Sequence, residues 1–223
     1  MLSLFGVPVD AAFHVVAGFT GILVPVLGGL AAVAAIVAAT MAVRLILMPL
    51  SLRALRGQAV AARLAPQLLA LRQRYAKQPE KLQREMSALY KREGTSMFAG
   101  LVPVLLQWPL LSVIYLLFRS PQVAGKPNTL LTHDLLGVPL GTHWLSGAGP
   151  ASAQGAVFLG VFVLMAAVCW LSSRLAAPAS GALAKVLPYL TVVIAAFAPL
   201  AAGIYLLTST AWSLAERKLF LLR

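Results

Sequence analysis

An all-α membrane protein with five transmembrane helices, a cytoplasmic helical hairpin and an N-terminal interfacial helix is the fold that this sequence predicts. Three observations carry the prediction. Hydrophobic residues make up 60% of the 223-residue chain and charged residues 11%, for a mean hydropathy of +0.87. That leaves too little polar surface to solvate a globule. Charge is also confined to blocks: residues 11–43, 95–118, 135–173 and 186–215 contain no Asp, Glu, Lys or Arg, and each stretch holds at least one span of about 20 residues. Finally, most of the basic excess sits between these stretches, where the positive-inside rule predicts it.

Residues 1–27 read as an extracytoplasmic N-terminus. Their apolar part, 9–23, follows Pro8 and carries Asp10 and His14, which suits a short helix lying in the interface. The first span is 28–50, with Arg44 its one charge, ending at Met48-Pro49. Composition then changes sharply. From 51 to 94 there are ten basic residues (Arg53, Arg56, Arg63, Arg72, Arg74, Lys77, Lys81, Arg84, Lys91, Arg92) against Glu80, Glu85 and Glu93. Leu64, Leu68, Leu71 and Tyr75 form one apolar helical face and Leu82, Met86 and Leu89 another. Lys77-Gln78-Pro79 interrupts them, so 51–96 reads as a basic helical hairpin.

The second span, 97–118, carries Pro103, Gln107 and Pro109. A Gly/Pro-rich connection, 119–153, contains His133, Asp134, His143 and Trp144 and leads to the third span, 154–173. After a short link, 174–185, the uncharged run 186–215 is too long for one untilted crossing and too short for two of standard length. Charge parity decides for two. Two crossings return Arg217, Lys218 and Arg223 to the side of the hairpin, leaving Arg119 and Lys126 outside. The reading is therefore two short helices, 186–198 and 199–216, meeting near Ala198-Pro199, then a tail, 217–223. The N-terminus is out and the C-terminus in, across a bacterial cell membrane.

A net charge of +12 raises nucleic acid, yet no aromatic-basic interleaving or recognisable nucleic-acid module accompanies it, and no DNA partner is expected. Cys169 is the single cysteine, so an intramolecular disulfide framework and a thiolate cluster are both excluded. The chain has no GxxxxGK[ST], HExxH or GxSxG sequence, and His133, Asp134 and His143 make a weak metal signal. No enzyme activity, metal or cofactor is expected. The N-terminus has no basic signal region; either the first span does the targeting or a presequence precedes it.

Arg44 is the sharpest feature, since a guanidinium in hydrocarbon costs at least about 2.5–3.5 kcal/mol on insertion scales. Two readings stand: it snorkels to the interface, or it faces a polar cavity and attracts carboxylates. Gln107, Gln154, Tyr205, Thr208, Ser209 and Thr210 lie in or beside other spans. Each singly suits a helix-helix hydrogen bond, and together they suit a groove around Arg44. The exposed cations of the hairpin, Arg72, Arg74, Lys77, Lys81 and Arg84, are free to recruit anionic headgroups, acidic nascent segments or ribosomal RNA. An anion transporter or channel would also use an intramembrane Arg; inverted repeats would favour it, and none is found. A non-catalytic assembly factor for membrane complexes is a third class.

The run Val43-Arg44-Leu45-Ile46-Leu47-Met48-Pro49-Leu50, the hairpin end Glu85-Met86-Ser87-Ala88-Leu89-Tyr90-Lys91 and the span Pro103-Val104-Leu105-Leu106-Gln107-Trp108-Pro109 resemble, in order and spacing, the YidC/Oxa/Alb insertases. His133-Asp134-Leu135 resembles a loop element of the same family. Near the C-terminus only Pro199, Tyr205 and Ser209 match cleanly. The resemblance implies a five-helix bundle enclosing a hydrophilic groove open to cytoplasm and lipid, with Arg44 as the groove arginine. It implies an insertase and folding chaperone that works without nucleotide hydrolysis on nascent membrane proteins in the lipid bilayer, with the ribosome and a Sec-type translocon as further candidate partners. The long basic tail and large extracytoplasmic domain of some relatives have no counterpart in this sequence.

Overall fold

The computed structural model describes residues 2–94, 102–146, 152–175 and 186–221. The expected beginning of the second span and nearly all of the link 174–185 lie outside the described residues. Helices dominate: α1 (Leu2–Leu27), α2 (Ala31–Arg74), α3 (Pro79–Arg92), α4 (Val102–Arg119), α5 (Ala153–Arg174), α6 (Leu190–Phe197) and α7 (Leu200–Leu221). The chain is an all-α membrane protein whose apolar helices expose Val163, Leu164, Val193 and Phe197, side chains suited to lipid.

α7 is the centre of the bundle, flanked by α2, α4, α5 and α6. Its first turns, from Leu200 to Leu206, are buried all round. Between apolar helices in lipid the hydrophobic effect supplies little, and close backbone approach matters more. Small residues provide it here: Ala32, Ala35 and Ala39 on α2 and Ala201 and Ala202 on α7 are all buried.

α2 continues as helix past Pro49, where the sequence places the end of the first span. The helix runs 44 residues without interruption through Pro49 and Pro66, about 66 Å at 1.5 Å per residue. Proline at 49 removes one main-chain bond but does not force an end. The first half therefore belongs to the bundle and the second is an arm of the hairpin. The turn falls as expected: Tyr75 closes α2 and Pro79 opens α3 as its first residue. Leu64 and Tyr90 are buried where α2 and α3 meet, while Arg72, Arg74, Lys77, Lys81 and Arg84 are all exposed.

α1 corrects an expectation. In place of a short interfacial helix there are 26 helical residues, about 39 Å, joined to α2 by a 3-10 turn at Gly28–Leu30. Gly28 has φ +51°, a conformation that side chains disfavour. The turn folds α1 back along α2, so that Pro8 and Val16 of α1 line one cavity with Ile36 and Arg44 of α2. Val9, Val16 and Thr20 are buried on its inner face. That apolar stripe, spaced by seven and four, needed a partner helix, and α2 supplies it.

The connection 119–153 is more ordered than the sequence suggests. Two small antiparallel hairpins, β1 (Gln122–Val123) with β2 (Lys126–Pro127) and β3 (Asp134–Leu135) with β4 (Val138–Pro139), form there. Both turn through paired positive-φ residues, Ala124-Gly125 and Leu136-Gly137. Buried Asn128 ties the region to α4, its Nδ2 donating to Leu117 O at 2.6 Å and Ser120 O at 3.0 Å. The region also caps α7: the N–H groups of Leu200 and Ala201 donate to Thr142 O at 2.9 Å and Leu140 O at 3.0 Å. The expected break at Ala198-Pro199 is present, but only the first of the two final helices is short. α7 has 22 residues because Glu216, Arg217 and Lys218 continue the helix beyond the apolar run.

Candidate functional site

Arg44 is half-buried on the inner side of α2. Its Nε donates to Ser209 Oγ on α7 at 3.1 Å, and its Nη2 reaches the same oxygen. Ser209 is fully buried. Nine residues separate it from Leu200 at the start of α7, so the guanidinium is held about 13–14 Å from the capped end of the bundle. The side chain is thus tied to a partner on another helix of the bundle.

A cavity of about 430 Å³ opens beside it. Its walls come from α1 (Pro8, Ala11, Ala12, Val15, Val16), α2 (Ile36, Ala39, Thr40, Val43, Arg44), α4 (Pro109, Leu110, Val113, Ile114) and Tyr205 of α7. The expected hydrophilic groove is, in this structure, an apolar space whose polar wall is Arg44, Thr40 and Tyr205. Thr40 Oγ1 is already engaged, donating to Ile36 O at 2.7 Å. The Tyr205 hydroxyl lies beside Ser209 and in the field of Arg44, yet it is buried without a hydrogen bond of ordinary geometry. A buried hydroxyl left so is available to an incoming polar group.

Of the residues singled out in the sequence, the structure brings together Arg44, Tyr205 and Ser209. Gln107 falls in α4, two residues before the cavity wall begins at Pro109; its side chain lies outside the described residues. Gln154 is placed elsewhere: it is exposed in the first turn of α5, beside the N-cap Ser152, and does not line the cavity. Thr208 and Thr210 donate to carbonyls of their own helix, at Ile204 and Leu206. Asp134 serves its own hairpin, accepting from Gly137 N at 2.6 Å. Sequence reasoning missed Thr40, which its position one turn before Arg44 on the same face signals, and it missed the α1 wall altogether.

Outside the bundle, His143 bridges to Pro199 at the capped end. Burial, and secondarily the nearby Arg119 charge, push its imidazole below the ordinary histidine range. At the opposite end of α5 the Arg174 guanidinium lies 4.9 Å from the Trp170 ring centroid. Trp144 packs on Phe158 and Phe162 near the capped end. Aromatic residues therefore mark both ends of this span.

The arrangement is an arginine held inside an apolar helical bundle, beside a cavity and short of a capped end. The family model described as 60Kd inner membrane protein matches residues 23–221, most of the chain, and the protein belongs to that family. The relatives it resembles include "Membrane protein insertase YidC" of Clostridium tetani (strain Massachusetts / E88), 31% identical over 114 residues, which cover 51% of this chain and 52% of that one. The protein of the same name from Helicobacter pylori (strain J99 / ATCC 700824) is 35% identical over 102 residues, covering 45% and 19%. That of Clostridium perfringens (strain 13 / Type A) is 37% identical over 81 residues, covering 36% and 34%. The matches thus span about half or less of these relatives' lengths.

Proposed function

We propose that this protein is a membrane protein insertase that receives nascent membrane proteins in the bacterial cell membrane and helps them fold. The observation that carries the reading is the cavity beside Arg44, in a chain whose relatives bear the insertase name. Crossings by the first half of α2 and by α4, α5, α6 and α7, with α1 running alongside α2 in the bundle, place the basic hairpin and the C-terminus in the cytoplasm, with Arg119 and Lys126 outside. A client's short acidic segment is drawn to Arg44 and waits there. Transfer of the client's own span into lipid, worth about 0.8 kcal/mol per CH₂ buried, drives release without nucleotide. The exposed cations Arg72, Arg74, Lys77, Lys81 and Arg84 attract anionic lipid or ribosomal RNA while a client arrives.

The test is photocrosslinking from Gln107, Val113 and Tyr205 during synthesis of a short single-span protein in membranes. Crosslinks that form and then vanish as the span inserts support a transient groove. Normal insertion with no crosslink at any of the three positions removes it. Arg44→Ala is expected to slow acidic-tailed clients more than neutral-tailed ones, and equal slowing would rule out attraction by charge.

A further inference from the structure

The cavity has an unexpected wall. Five of its lining residues belong to α1, so the space facing α2, α4 and α7 is covered by the chain's own N-terminal helix. We propose that α1 is a built-in occupant of the client site: it sits where a client's transmembrane helix docks and must move aside for that helix to enter. This rests on the insertase reading and names what the site holds between clients.

The composition of α1 matches what the site is proposed to receive. It is apolar over 26 residues and carries one acidic side chain, Asp10. Pro8 and Ala11, on either side of Asp10, line the same cavity as Arg44, so the acid belongs to the segment of α1 that walls the cavity. Asp10 is half-buried and pairs with His14 on its own helix, Oδ1 to Nε2 at 3.5 Å. A client with an acidic residue ahead of its apolar span would present the same sequence of chemistry along the same track. The outer side of α1, with Val7, Ile22 and Val26 among its most exposed residues, suits lipid, as a client's would on its way out.

The fit is loose in the way a replaceable occupant requires. α1 offers Pro8, Ala11, Ala12, Val15 and Val16 to the cavity, and these short side chains leave about 430 Å³ unfilled. A void of that size forfeits dispersion contacts along its walls, and a client with larger side chains recovers them. The polar groups of α1 are satisfied locally, Thr20 by Val16 O at 2.8 Å and Asp10 by His14, so they travel with the helix when it leaves. The connection to α2 is a three-residue turn opening on Gly28-Gly29, with Gly28 in the left-handed region. A hinge of two glycines changes direction at low steric cost.

The experiment joins α1 to α2 across the cavity. Ala12→Cys and Ala39→Cys are introduced with Cys169→Ala, and the full chain in lipid vesicles is treated with a short bismaleimide cleavable by reductant. Linking is expected to be fast without a client and at least about fivefold slower in the presence of a ribosome-stalled single-span client. Insertion by the linked protein is expected to fall at least about tenfold and to return when the linker is cleaved. Absence of linking, an unchanged linking rate with client present, or full insertion by the linked protein would each overturn the proposal while leaving the insertase reading intact. Failure of the wild-type chain to insert the client would instead sink the insertase reading. If the first cysteine pair impairs folding, Val16→Cys with Ile36→Cys poses the same question one turn further from Arg44.

Discussion

Arg44 and Ser209 stand 165 positions apart in the chain, and two guanidinium nitrogens of the first converge on the single hydroxyl oxygen of the second. The contact joins α2 to α7 and sets the direction in which the arginine faces. Ser209→Ala removes the shared acceptor, and a loss of about 1 kcal/mol is expected, within the range for interhelical hydrogen bonds in membranes. Thermal unfolding in detergent reads this. Insertion of acidic-tailed clients should fall with it, because the charge is then less well aimed.

Gly141 lies between the two residues whose carbonyls cap α7. A side chain there would meet Leu131 Cδ2 at 3.0 Å and Phe118 O at 3.3 Å, and the second of these is main chain that cannot step aside. Gly141→Val is expected to lift Leu140 and Thr142 away from the start of α7 and to cost about 1–3 kcal/mol, as overpacking does. Hydrogen exchange at Leu200 and Ala201 should accelerate, while exchange in α3 stays as it was.

Leu136 takes φ +52° in a hairpin turn and is 77% exposed, so it accepts backbone strain without burying its side chain. Leu136→Asn places an Asn-Gly pair where this turn prefers one. A gain of about 0.5–1 kcal/mol follows from relief of the left-handed penalty, and a rise in melting temperature measures it. No rise would mean that the exposed leucine is held by the membrane interface.

The lowered His143 sets a pH dependence. Its neutral form is favoured in the folded state, so the unfolded chain binds the proton more readily. Its effect on stability is therefore neutral above the ordinary value of 6.5, turns unfavourable as pH falls through that value, and levels off below the folded pKa. Melting of the wild type between pH 7.5 and pH 5 should show this decline, and His143→Gln should flatten it.

Much of this arrangement is written in local chemistry. Pro79 marks the start of α3 because proline favours the first turn of a helix, and Ala198-Pro199 marks the break before α7 for the same reason. Arg44 announces itself by the cost of its charge. Pro49 does not end the helix, because its lost bond is one among the 44 residues of α2. The long α1 is illegible for a different reason: Asp10 and His14 look like marks of an interface, and only the packed structure shows them paired with each other. Gln154 is a polar residue beside a span, and whether it faces the cavity depends on which end of α5 it occupies, a tertiary fact. The small hairpins hide because Ala124 and Leu136 occupy positions that usually announce themselves with asparagine or aspartate.

The capping of α7 by Thr142 and Leu140 uses main-chain oxygens, so that end of the bundle is closed by backbone. Side-chain exchange alone leaves those oxygens in place. A polar segment held at Arg44, as proposed above, would leave sideways along the lipid flank. On the proposed insertase reading, cargo then moves along the flank of the bundle and not through a pore, and ion gradients persist while it moves.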